Sequence, residues 1–93
     1  MIKSFRDRRA AAAFQGLRLK GFPPDLLRRA QKRLRQLDAA RTLQDLRLPP
    51  SNRLEAFERE RQGQRSIRIN DQWRICFVWR DGDAHDVEVT DYH

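Results

Sequence analysis

Apolar and polar side chains alternate along the stretch RSIRINDQWRICFVWRDGDAHDVEVT, and two turn signals, NDQ and DGD, interrupt the alternation. A period of two marks β-strands with one buried face, and slipping such a strand by one residue moves its whole apolar set to the wrong side. Register is therefore readable from burial. A three-residue turn at Asn70–Gln72 sets Ile67 opposite Ile75 and Ile69 opposite Trp73. A three-residue turn at Asp81–Asp83 sets Phe77 opposite Val87, Ile75 opposite Val89 and His85 beside Trp79. Both choices gather Trp73, Ile75, Phe77 and Trp79 on one apolar face, which assigns both tryptophans to the core. Upstream, NRLEAF reads as a further strand and ERERQG as a charged loop.

The first half has a helical period instead. MIK is a candidate opening strand, and Ser4, three residues before Asp7, reads as the N-cap of a helix over FRDRRAAAFQ that Gly16 ends. In PDLLRRAQKRLRQLDAA, Pro24 suits the first helical position. Leu26, Leu27, Ala30, Leu34 and Leu37 share one arc, while Arg28, Arg29, Lys32, Arg33, Arg35 and Gln36 fill the other side. Thr42 and Asp45 then form a capping pair on TLQDLRL, which Pro49 and Pro50 end. The pattern predicts a single α+β domain over residues 1–93, with two N-terminal helices packed on a twisted antiparallel β-sheet.

Composition narrows the function classes. Cys76 is the only cysteine and His85 and His93 the only histidines, so an internal disulfide is impossible and neither a metal site nor a cofactor is expected. No stretch approaches the ~20 apolar residues of a membrane span, and MIKSFRDRRAAAF lacks the apolar centre of a secretory signal, which makes the cytoplasm the expected compartment. The net charge of +7 is uneven: residues 1–50 carry 13 basic and 4 acidic side chains, residues 51–93 carry 7 and 9. A basic front half seeks polyanions such as nucleic acid, or an acidic partner.

The predicted register also fixes the second face of the sheet. Arg68 falls opposite Arg74, Arg74 opposite Thr90, and Tyr92 lies on the diagonal. Glu55 comes beside Arg68 if Leu54 and Ala56 join the core, and His93 adds an imidazole at the edge. Facing like charges destabilise a sheet unless an anion lies between them. Cleaving RNA without a metal needs a base for the 2′-hydroxyl, cations around the pentavalent phosphorus and an acid for the leaving 5′-oxygen. Arg68 and Arg74 suit the phosphate, His93 the proton, and Tyr92 the nucleophile or a stacked base. The alternative is a solvated surface carrying a weak Glu55–Arg68 ion pair.

NRLEAF, SIRINDQWRICFVW, DGDAHDVEV and the terminal DYH resemble the HigB branch of the RelE-like bacterial toxins over essentially the whole chain. The resemblance implies a compact microbial-ribonuclease-like fold. It also implies a toxin that cleaves messenger RNA in the ribosomal A site, restrained by a HigA-like helix-turn-helix antitoxin, with DNA reached only through that antitoxin. Carried over by position, Arg74, Tyr92 and His93 form the site, with Asp91 nearby. Arg28, Arg29, Lys32 and Arg33, joined by Arg53, then meet RNA. Some better-known members carry a His and a Lys where this chain has Glu55 and Glu58, so Glu55 is the candidate replacement base. Two other readings stay open: a non-catalytic inhibitor that binds RNA or the ribosome, and a co-repressor acting through its antitoxin.

Overall fold

The structure, a computed structural model, describes residues 1–56 and 63–91. Two helices, α1 (Arg8–Phe14) and α2 (Pro24–Ala39), precede two 3-10 turns at Leu43–Arg47 and Pro50–Asn52. Four strands follow: β1 (Glu55–Ala56), β2 (Gln64–Arg68), β3 (Trp73–Arg80) and β4 (Asp83–Asp91). They form one antiparallel sheet in the order β1-β2-β3-β4, which is the expected α+β arrangement. No helix among the described residues is long and apolar enough to cross a membrane.

Leu26, Ala30, Leu34 and Leu37 of α2 are buried in one cluster with Ile67, Ile75, Phe77, Val87 and Val89 of the sheet. Leu34, Leu37 and Phe77 are fully enclosed, each worth about 1.5–3 kcal/mol relative to exposure. Leu27, Trp73 and Trp79 pack half-buried at the rim of this core. The β2–β3 hairpin has the expected register, with Ile67 opposite Ile75 and Arg68 opposite Arg74. Asn70 secures its turn, the side-chain oxygen accepting from the backbone N–H groups of Gln72 (2.9 Å) and Trp73 (2.7 Å).

Four expectations are corrected. The N-cap of α1 is Asp7, whose carboxylate accepts from the Ala10 N–H at 2.7 Å. Ser4 instead accepts from the Asp86 N–H at 2.9 Å, within an N-terminal segment that bridges β4 in parallel at Ile2–Ala84 and Phe5–Val87. The β3–β4 turn has two central residues, Asp81 and Gly82, with φ of 54° and 78°. Positive φ at both is what a type I′ hairpin demands, and Asp-Gly supplies it at low cost. Trp79 therefore faces Ala84, and His85 faces Val78. The extra residue returns as a β-bulge between Cys76 and Val78, where Asp86 has φ 52°, so the expected Phe77–Val87 pair is interrupted while Ile75–Val89 is preserved.

The first half of NRLEAF is not a strand. Asn52 closes the second 3-10 turn and Arg53 is left-handed (φ 44°), so among the described residues of this stretch the paired ones are Glu55 and Ala56. Ala56 is exposed, while Leu54 packs against the core. Most of the ERERQG loop lies outside the described residues. Asn52 is wholly buried, and its amide donates to Gln36 Oε1 (3.0 Å), Leu46 O (3.1 Å) and Leu48 O (3.3 Å), tying α2 to both 3-10 turns. The capping pair formed as expected. The Asp45 carboxylate accepts from the backbone N–H groups of Arg41 and Thr42, and these bonds hold its pKa below the ordinary 3.8.

Asn52→Ala is expected to destabilise the fold by about 1–3 kcal/mol, because it strips buried carbonyls of their donor; urea unfolding measures this. Asp45 has a depressed folded pKa, so its stabilisation is full above pH 3.8 and fades as the pH falls through the folded value. The stability gap between wild type and Asp45→Ala should thus be widest near neutrality and close in acid. A gap that widens on acidification contradicts this.

Candidate functional site: paired arginines in a polar concavity

Along β3, Ile75 and Phe77 point to the helices, so Arg74 and Cys76 lie on the opposite face. That face is not open to solvent at its centre. Ser66 and Cys76 are buried, and Arg74 itself is only 7% exposed, against the expectation of an uncovered row. Burying a guanidinium is costly unless it is hydrogen-bonded and paired. Arg74 meets that demand. Its Nε donates to Ser66 Oγ at 2.9 Å, one terminal nitrogen donates to the Arg53 carbonyl at 2.6 Å, and the Glu55 carboxylate lies 3.9 Å away.

The left-handed Arg53 is what makes this possible. Its turn breaks the chain away from the second 3-10 turn and directs a main-chain oxygen at Arg74 just before β1 begins. Glu55 pairs with Ser66, not beside Arg68 as the sequence suggested. Its carboxylate is consequently Arg74's neighbour. Arg68 and Arg74 are directly opposed as expected, and Arg74 is opposed to Thr90.

Arg68 has its own carboxylate. It forms an ion pair with Asp71 in the β2–β3 turn, whose side chain is 96% exposed. Arg53, Glu55, Arg68, Asn70, Asp71 and Arg74 together line a concavity of about 370 Å³. Three guanidinium groups and two carboxylates there make a site suited to a phosphate, which accepts fork-like hydrogen bonds from arginine. Tyr92, His93 and Glu58 lie outside the described residues. Asp91 ends β4 opposite Trp73 and accepts from the Gln72 amide at 3.0 Å.

The basic face of α2 is heterogeneous. Arg28, Arg29 and Lys32 are exposed, and Arg28 is ion-paired with Asp25. Arg33 is half-buried, donating from Nε to the Arg68 carbonyl (3.3 Å) and from a terminal nitrogen to Ser51 Oγ (3.4 Å). Its pKa is lowered, first by burial and then by the positive charge of Arg29. Sequence reasoning missed Ser66, Asp71 and the Arg53 carbonyl. Ser66 had a usable signal, since it shares the alternation phase of Arg68; Arg53 had none, because a carbonyl carries no sequence signature.

A sequence profile of the HigB-like toxins, described as RelE-like toxins of type II toxin–antitoxin systems, matches residues 3–93. The protein named Endoribonuclease HigB from Proteus vulgaris is 31% identical over 93 residues, the full length of both chains. Toxin HigB-1 of Vibrio cholerae is 49% identical over 53 residues, so the match spans 57% of this chain and just over half, 56%, of that relative. An uncharacterised protein of Haemophilus influenzae is 29% identical over 65 residues, 70% of this chain and 64% of its own length. With all but the first two residues matched and one relative aligned end to end, this chain belongs to the HigB-like family, the RelE-like toxins of type II toxin–antitoxin systems.

Proposed function

We propose that the protein is a ribosome-dependent endoribonuclease that cleaves messenger RNA in the ribosomal A site, and that a helix-turn-helix antitoxin of the HigA kind restrains it. The observation that carries this reading is the pair of opposed guanidinium groups, Arg68 and Arg74, lining one concavity, with Arg74 fixed by Ser66 and the Arg53 carbonyl. The Proteus vulgaris relative, named as an endoribonuclease, supports the same chemistry.

The reaction is a transesterification. A base takes the proton of the 2′-hydroxyl and the 2′-oxygen bonds to phosphorus. The bond from phosphorus to the 5′-oxygen then breaks, and an acid protonates that oxygen, leaving a 2′,3′-cyclic phosphate and a 5′-hydroxyl. Arg74 and Arg68 stabilise the charge gathered on the phosphoryl oxygens. Glu55, beside Arg74, serves as base. His93 is the acid, since an imidazole titrating near ~6.5 exchanges protons at neutral pH, and Tyr92 orients the nucleophile or stacks on a base. DNA is engaged only through the antitoxin, and the site of action is the cytoplasm, where ribosomes translate.

Mapping message 5′ ends after induction tests this. Arg74→Ala is expected to lower cleavage by roughly 10²–10³-fold, and Arg74→Lys not to restore it, because an ammonium lacks the fork. Deleting His93 should lower cleavage by roughly 10²–10⁴-fold, the range of general acid catalysis. Undiminished cutting by the His93 deletion removes that residue from the mechanism. Translation arrest with intact messages overturns the nuclease reading in favour of inhibition by occupancy.

A further inference from the structure

The exposed cationic face of α2 divides into two stripes. Arg28, Lys32 and Arg35 recur at i, i+4 and i+7 and point to solvent. Arg29, Arg33 and Gln36 recur with the same spacing one position further on, and this stripe is tied to the rest of the molecule. Gln36 donates to Leu48 O at 2.5 Å and accepts from Asn52, while Arg33 donates to Arg68 O and Ser51 Oγ. The inner stripe therefore lies against β2 and its following turn.

A second concavity, of about 240 Å³, lies there, with Arg29, Arg33, Ser51 and Arg68 in its wall. It shares Arg68, Asn70 and Asp71 with the concavity that holds Arg74, so the two adjoin across these residues. Its charge is unbalanced. Asp71, the one carboxylate among the described residues lining it, is bound to Arg68, and Arg29 and Arg33 are neighbours one helical turn apart on the same wall. Two guanidinium groups one helical turn apart beside a hydroxyl in a concavity call for an anion, and this concavity adjoins the one that holds Arg74.

We propose that Arg29 and Arg33 form a subsite for a neighbouring phosphate of the same single-stranded RNA whose scissile phosphate lies between Arg68 and Arg74. This rests on the nuclease reading above. Helix α2 thus serves two anions: its inner stripe holds the substrate strand, and its outer stripe, Arg28, Lys32 and Arg35, is left for other RNA. Affinity should then grow as the oligonucleotide lengthens past the first concavity.

The test is equilibrium binding of 2′-O-methyl oligoribonucleotides, which lack the attacking hydroxyl, to the full-length protein over a range of salt. A dinucleotide carries one bridging phosphate and a tetranucleotide three. Arg29→Ala combined with Arg33→Ala is expected to weaken the tetranucleotide by roughly tenfold and flatten its salt slope by about 0.7, the loss of one phosphate contact, while leaving the dinucleotide unchanged. Because Arg33 also holds Arg68's strand, Arg29→Ala alone serves as the second variant and should give about half that change in slope. The control, Arg28→Ala with Lys32→Ala, should change the tetranucleotide much less. Equal losses from the two stripes overturn the proposal. So does equal loss on dinucleotide and tetranucleotide, or wild type that binds the tetranucleotide no better than the dinucleotide. Arg74→Ala separates the two readings: a dinucleotide indifferent to it counts against the cleavage site, whereas length-dependent loss at Arg29 and Arg33 still upholds the subsite.

Discussion

A buried guanidinium is the constraint around which this molecule is arranged. Arg74 is 7% exposed on the face of β3 away from the helices, and the groups that meet it there include Ser66 Oγ, the Arg53 carbonyl and the Glu55 carboxylate. Each comes from a different constraint. Ser66 comes from the β2–β3 register and Glu55 from the short β1 pairing, while the carbonyl depends on Arg53 adopting a left-handed conformation that non-glycine residues seldom take. A free arginine carries ~2 kcal/mol of rotamer entropy. Arg74 has given up most of that freedom on folding, so less is lost when an anion arrives, which is the sense in which a charged site is preorganised.

That constraint reaches around the edge of the sheet into the helical layer. Gln36 of α2 accepts from Asn52, Asn52 also donates to the Leu46 and Leu48 carbonyls, and the next residue is Arg53. Arg33, one turn earlier, donates to the carbonyl of Arg68. Arg68 and Arg74 are thus both held in part through α2, the element that also carries the positive field. The apolar arc of α2 fixes its distance from the sheet, and its polar side then adjusts these two arginines.

Much of this could be read from the alternation of apolar residues. The pairs Ile67–Ile75, Arg68–Arg74 and Ile75–Val89 follow from burial alone, because any slip would expose the core. The β3–β4 turn shows the limit of that logic. A three-residue loop and a two-residue loop with a bulge give the same register at Ile75, and only the preference of Asp-Gly for positive φ separates them. Depth was not legible either: alternation assigns Arg74 to a face but does not report that the face is closed at its centre. The place of Glu55 depended on the β1–β2 register, and the left-handed Arg53 just before β1 has no sequence mark. Tyr92, His93 and Glu58, where the resemblance concentrates the chemistry, lie outside the described residues.

The two carboxylates of the concavity resolve the apparent conflict of opposed arginines. Like charges across a strand pair destabilise the sheet, yet Arg68 and Arg74 each have an acidic neighbour, Asp71 and Glu55. These neighbours are not equivalent. Asp71 is almost fully exposed on a turn three residues from its partner, the kind of pair worth about 0.2–1 kcal/mol, so a phosphate offering two acceptor oxygens to the same guanidinium displaces it readily. Glu55 lies beside a buried arginine that already donates to the Ser66 hydroxyl and the Arg53 carbonyl, so its charge remains in the concavity and weakens the binding of any anion there. Affinity for a polyanion must then come from groups beyond the concavity. The surplus of basic residues in the first half of the chain, five of them on α2, is placed to supply it.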